Sequence, residues 1–313
     1  MLRGRAFGVG ATALLFAGLA FLISTRGGTP AGTVRVPSGP QGLATGDGAV
    51  WVASTDEGRV SRFDPRSHHV TATIHVGGAP VDAAFGGGAV WVTKPGRDEV
   101  VRVDPSTRVA TKILVGDTPT AIAADDSSVW VANNRANTVS RIDPATGAVA
   151  DTIRVGRRPA GVAVGAGAVW VTNAKDHTVA RIDPATNSIV ATIPVGRVGA
   201  AISANDAAVW VADINAGTVA RIDPGTNAVV ATTRVGTRPI AIVADGGAVW
   251  VANVEDNTVS RIDPTNDRVT ATLDVHSDPS ALAVFDGKVW VANEGDGVLS
   301  SLSTTTASAA GRQ

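Results

Sequence analysis

The sequence predicts an all-β ring of seven four-stranded antiparallel blades, and three observations carry that prediction. Tryptophan recurs at 51, 91, 130, 170, 210, 250 and 290, a repeat of 39 or 40 residues. Each tryptophan sits in the same apolar run (AVWVTN, SVWVAN and close variants), and R-[IVF]-D-P follows from Arg62, Arg102, Arg141, Arg181, Arg221 and Arg261. The two ends of the array complement one another. The last unit, with strands expected near 281–284, 289–292 and 298–302, lacks a D-P turn and a fourth strand, whereas Thr33-Val34-Arg35-Val36 has the fourth-strand pattern.

One unit shows why the residues choose this form. In residues 159–195, GVAV is a first strand and Gly165-Ala166-Gly167 a tight turn; AVWVTN and TVARI are the second and third strands. Asp183-Pro184-Ala185-Thr186-Asn187 is a turn: Asp accepts backbone hydrogen bonds, Pro fixes φ, and Asn takes the left-handed position that closes it. SIVATIPV is the fourth strand. The strands are β-branched and nearly continuously apolar, as sheets covered on both faces require. Four short strands per unit is the pattern of a β-propeller blade. A solenoid would need capping repeats at its ends. Here the N-terminal strand is expected to complete the last blade and close a seven-bladed β-propeller over 33–302.

The combination V-W-V-[AT]-N, R-I-D-P-x-T-N-x-V-x-A-T-I-x-V-G and G-x-x-P resembles the YVTN-type (YncE-like) β-propeller repeat family, with Trp in place of that family's usual Tyr. The resemblance covers about residues 33–302. It implies an extracytoplasmic setting and carries over no catalytic residue.

The seven tryptophans lie mid-strand among apolar neighbours and are expected to pack between blades. The recurring Arg is expected to hold a carboxylate or carbonyl of the neighbouring blade, since a residue needed for chemistry is needed once rather than in six equivalent places.

Ahead of the repeats, Arg3 and Arg5 precede an apolar run from Ala6 to Ile23. Its 18 residues make a helix of roughly 27 Å, enough to cross a bilayer core. Residues 1–27 are therefore expected to be a transmembrane anchor or a signal segment with the N-terminus inside. A linker over 28–32 follows, the ring lies outside the cytoplasm, and a disordered tail is expected over 303–313. The chain has no cysteine, which excludes disulfides, thiolate metal sites and a cysteine nucleophile. A net charge of -1 gives no overall electrostatic message, so any message lies in local patches.

In propellers the loops between strands two and three, and those leading into the next blade, share the face around the central channel. Here they vary (STDEG, KPGRDE, NNRAN, NAKDH, DINAG, NVEDN, NEGDG) on a constant scaffold, which is where specificity would live. Arg135, Arg157, Arg158, Lys175, Arg197 and Arg238 make one sector basic; Asn133, Asn173, Asn253 and Asn293 are candidates to ring the mouth. These ten residues form the expected ligand site, for a small anion, a wall polymer or an envelope protein. The same charges also fit solvated loops, and the same asparagines also fit turn stabilisation. Nucleic acid is disfavoured because the loops contain no aromatic stacking platform. No G-x-S-x-G, H-E-x-x-H, P-loop or EF-hand motif occurs. The expected function is therefore a monomeric, non-catalytic binding or scaffold propeller at the cell envelope, with no cofactor and no metal. The alternative is a propeller lyase or lactonase of the kind that opens streptogramin rings, for which His276 with Glu294 is the only hint.

Overall fold

The computed structural model describes residues 31–196, 201–245 and 247–304. The expected anchor or signal segment (1–27), its linker up to residue 30, and residues 305–313 of the tail lie outside the described residues. Among the described residues there is no α-helix, only a one-turn 3-10 segment at Pro95–Arg97, and no helix is long and apolar enough to cross a membrane.

Chain order runs through β1 (Ala31–Arg35) and then seven blades. Blade 1 holds β2 (Pro40–Gly46), β3 (Ala49–Ser54), β4 (Arg59–Asp64) and β5 (His69–His75); blade 2 holds β6 (Ala83–Gly86), β7 (Ala89–Lys94), β8 (Glu99–Val103) and β9 (Ala110–Leu114). Blade 3 is β10 (Pro119–Ala124), β11 (Val129–Asn133), β12 (Thr138–Ile142) and β13 (Val149–Arg154); blade 4 is β14 (Pro159–Gly165), β15 (Ala168–Asn173), β16 (Thr178–Asp183) and β17 (Ser188–Pro194). Blade 5 comprises β18 (Ile202–Ala204), β19 (Val209–Asp213), β20 (Thr218–Asp223) and β21 (Ala228–Arg234), and blade 6 comprises β22 (Pro239–Ala244), β23 (Val249–Asn253), β24 (Thr258–Asp263) and β25 (Arg268–Asp274). Blade 7 has β26 (Pro279–Phe285), β27 (Lys288–Asn293) and β28 (Val298–Ser303), with β1 as its fourth strand. Every blade is a four-stranded antiparallel sheet. In blade 7, Val34 lies opposite Leu299 and Arg35 opposite Val298.

The register explains the repeat. In blade 4, Trp170 stands directly opposite Arg181, and the guanidinium lies 5.1 Å from the indole ring centroid. The same cross-strand pairing places Arg62, Arg102, Arg141, Arg221 and Arg261 over their tryptophans. All seven indoles are buried. Each packs against the blade that follows: Trp170 meets Val209, Val211 and Ile222 of blade 5, and Trp290 meets Val50, Val52 and Phe63 of blade 1. Burial of apolar surface between blades thus runs around the whole circle, and no blade completes its core alone.

Three arginines reach past their own blade. Arg141 donates to Pro184 O (2.7 Å) and Asn187 Oδ1 (2.8 Å). Arg181 donates to Pro224 O and Asn227 Oδ1 in the same way. Arg221 turns instead to the Asp267 carboxylate, at 2.9 Å. These are the carbonyl and carboxylate partners expected for the repeated Arg. The D-P turns they grip close as the sequence predicts: Asp183 Oδ1 accepts from Ala185 N–H, and Asn187 sits at φ 54°.

Candidate functional site

The face opposite the D-P turns carries the variable loops, and most of its acidic residues are spent on holding those loops in shape. Asp176 accepts the Arg157 backbone N–H and pairs with its guanidinium. Glu57, Asp256 and Asp296 accept the backbone N–H groups of Ser38, Thr237 and Ser277 in the equivalent way. The backbone N–H of Arg157 is the first cause holding Asp176 below the ordinary carboxylate range, and that of Ser277 does the same for Asp296. A second rung comes from the preceding blade, where Asn137 Oδ1 accepts Arg158 N–H and Asn257 Oδ1 accepts Asp278 N–H. Much of the acidic sector in blades 6, 7 and 1 is therefore turn capping.

The ten residues singled out in the sequence divide sharply. Asn133, Asn173, Asn253 and Asn293 are fully buried beneath the loops. Their amides serve their own blades: Asn133 Nδ2 donates to Thr138 and Ser140 hydroxyls, and Asn253 to Thr258 and Ser260. A glycine of the incoming connection lies on each of three of them. A Cβ at Gly156 would come within 2.6 Å of Asn173 Cγ, so these side chains have no path to the mouth. Among the basic residues, Arg157 is paired with Asp176, and Arg238 with Glu255 at 3.3 Å. Arg135, Arg158 and Lys175 are exposed. Arg197 lies outside the described residues.

Blade 7 brings a base to an acid on its loop face, and its seam with blade 1 pairs an acid with an amide. His276 Nδ1 lies 3.4 Å from Asp296 Oδ2, and its Nε2 lies 3.0 Å from the Thr33 hydroxyl of β1. In the adjacent loop of the same blade, Glu294 Oε1 accepts from Gln41 Nε2 at 2.8 Å. Gln41 lines the central channel, so Glu294 stands at its mouth. His177 is exposed on blade 4, and His68 stacks near Phe63 and Trp290 on the D-P side. Among the described residues no three His, Cys, Asp or Glu side chains converge as a metal ion's ligands.

Two features escaped the sequence reading. The central channel forms a cavity of about 220 Å³ lined by all seven blades, and among the described residues Asp82 is its only ionisable lining residue. Asp82 stands nine residues before its tryptophan, where the other units have Gly42, Ala121, Gly161, Ala201, Ala241 and Ala281. Aligning the units column by column exposes it as a break in the repeat. Burial raises its pKa to about 6, against two backbone N–H bonds that oppose the rise. The second feature is a buried ion pair. Lys94 occupies the position held by asparagine in four other blades, and pairs with Glu99 while donating to Val76 O.

A ring of seven four-stranded blades around a channel, with its singular residues on one face, defines the class. The Virginiamycin B lyase family model matches residues 31–301, and the chain belongs to that family. No curated protein sequence matches it. Among solved structures, a streptogramin B lyase aligns with a TM-score of 0.74 and 20% identity over 86% of this chain and 95% of that one. A catalytically inactive histidine-to-alanine variant of virginiamycin B lyase from Staphylococcus aureus, with quinupristin, gives 0.75 and 17% over 87% and 98%. Kuenenia stuttgartiensis hydrazine synthase gives 0.75 and 17% over 87% and 97%, so the ring itself says little about chemistry.

The family match corrects one expectation: it sets aside the non-catalytic scaffold in favour of the lyase alternative. The family it gives is that of virginiamycin B lyase; it does not confirm the YVTN-type label. In the sequence the lyase alternative rested on a single pair, His276 with Glu294, with no motif beside it.

Proposed function

We propose that this chain is a lyase acting on a small ring-closed molecule of the streptogramin B type, on the loop face of blade 7 and its seam with blade 1. Family membership across residues 31–301 is the observation that carries the reading. The His276–Asp296 and Gln41–Glu294 pairs support its location.

The chemistry asks little of the protein. A lyase of this kind takes a proton from carbon, and the electrons of that bond form a double bond as the C–O bond breaks. No water is consumed. His276 fits the base: Asp296 accepts from Nδ1–H, which leaves Nε2 to take a proton, and Asp296 then stabilises the imidazolium. The Ser277 N–H keeps Asp296 ionised for that role. Thr33 holds Nε2 in the free protein and is displaced by substrate. Glu294, oriented by Gln41, is positioned to bind and orient the substrate at the channel mouth.

Incubation with quinupristin, with and without added divalent cations, tests the proposal by mass spectrometry. Elimination opens the ring at unchanged mass; hydrolysis adds one water. Intact quinupristin at stoichiometric protein sinks the reading, and so does full activity in folded His276→Ala. The reading extends to an extracytoplasmic setting, supported by Arg3, Arg5 and the apolar run from Ala6 to Ile23. The mass of the mature N-terminus tests whether that run is retained. The V-W-V-[AT]-N consensus supports descent of the blades from a YVTN-type unit.

A further inference from the structure

We propose that the central channel is a binding site for an alkylammonium group, with Asp82 as its anionic contact. The inference stands on the channel itself and does not depend on the lyase reading.

Among the described residues the lining carries one charge and no cation to balance it. Asp82 Oδ1 accepts from Ala83 N–H at 2.8 Å and Oδ2 from Ile122 N–H at 2.9 Å. Each oxygen keeps a further lone pair. The nearby Lys94 is committed to Glu99 and to Val76 O.

The neutral polar groups around the cavity have their donors directed elsewhere. Ser280 donates to Pro40 O at 2.6 Å, and Gln41 donates through Nε2 to Glu294. The Thr120 hydroxyl faces Ala132 O and Pro159 O at 3.5 Å. What remains for a guest is the acceptor set: both Asp82 oxygens, Gln41 Oε1 and the two hydroxyl oxygens. A guest that satisfies them must bring several N–H donors and a positive charge.

A bare metal ion fits less well. Hard cations gather six or more oxygens at about 2.0–2.6 Å, whereas these acceptors come from blades 1, 2, 3 and 7 around a cavity of about 220 Å³. An ammonium on a short alkyl stem places its charge at Asp82 and its carbons against Leu43, Ile202, Ile242 and Leu282, which line the same cavity.

Calorimetric titration of the full chain with n-propylammonium, n-propanol, sodium and calcium chlorides tests the site. Propylammonium is expected to bind the wild type and to lose at least tenfold in affinity in Asp82→Asn, with propanol silent. Affinity in the wild type should also fall as pH drops through about 6, where Asp82 takes up a proton. That second measurement needs no variant. Equal propylammonium affinity in both proteins, or an affinity flat across that range, overturns the proposal. Calcium binding that depends on Asp82 in place of the amine overturns it as well.

Discussion

Blades 3 to 6 and blades 7, 1 and 2 are built from the same repeat, yet they are fastened differently. In the first arc, Arg141, Arg181 and Arg221 each cross to the D-P turn of the next blade. In the second arc Arg62 binds Asp47 O and the Thr71 hydroxyl of its own blade, as Arg261 of blade 6 binds its own Thr270 where that blade meets blade 7, and blade 7 has Ser301 opposite its tryptophan. That arc is joined by polar pairs that occur once, Gln41 with Glu294 and His276 with Thr33, and by Ser280 with Pro40 O, a contact that Thr120 makes more loosely with Pro159 O in blade 3. It also holds Asp82 and the Lys94–Glu99 pair. Residues that repeat are explained by packing; residues that break the repeat gather in one arc, where the chemistry is proposed.

Truncating a repeated core residue is expected to cost most. Trp170→Ala empties a fully buried position between blades 4 and 5. Its expected cost is about 3–5 kcal/mol, and a thermal unfolding midpoint equal to wild type would refute interblade packing as the ring's main cement.

The singular ion pair comes next. Lys94→Met leaves Glu99 buried without its cation, at about 3 kcal/mol or more. Adding Glu99→Leu should restore most of the loss, because two apolar groups suit that pocket better than one orphaned charge. A double-mutant cycle by denaturant unfolding measures the recovery.

Asp82 should mark the channel by pH. Its carboxyl titrates near 6 in the folded chain against an ordinary value of 3.8. The unfolded chain therefore ionises first as pH rises, and folded stability falls between about pH 4 and about pH 6. A shift of about two units corresponds to at most about 3 kcal/mol. Asp82→Asn removes this fall, so calorimetry should show the variant gaining on wild type across the window by up to about 3 kcal/mol, on top of a pH-independent loss because Asn keeps only one acceptor.

The smallest effect sharpens the contrast between the arcs. Arg181→Ala should cost about 2 kcal/mol through its cation–π contact and its bonds to blade 5, and Arg62→Ala about 1 kcal/mol. Equal costs would erase the distinction drawn here.

The blades were legible because one physical demand is stated seven times. Trp, Arg and the D-P turn each read correctly from a single unit, and Asp183 and Asn187 behave as their residue types require. The site was harder to read for the opposite reason. Asn133 and its counterparts looked like loop residues by position, but hydroxyls on the next strand, such as Ser140, draw them inward. Acidic loop residues such as Asp296 looked like free charge, whereas a backbone N–H from another loop claims them. Asp82 was visible only as a departure from its column, and its burial comes from six other blades that a single unit does not display.

The pairing in blade 7 fixes a polarity for the whole ring. Ala31 enters beside Ser301, and Ser303 leaves opposite Lys288, next to the turn that joins the first two strands of that blade. Both chain ends thus meet the ring on its D-P side. Whatever lies upstream of residue 31, a support attached there holds the ring from beneath. The channel mouth beside Glu294 and the loop face that carries His276 would then look away from such a support, toward arriving solutes.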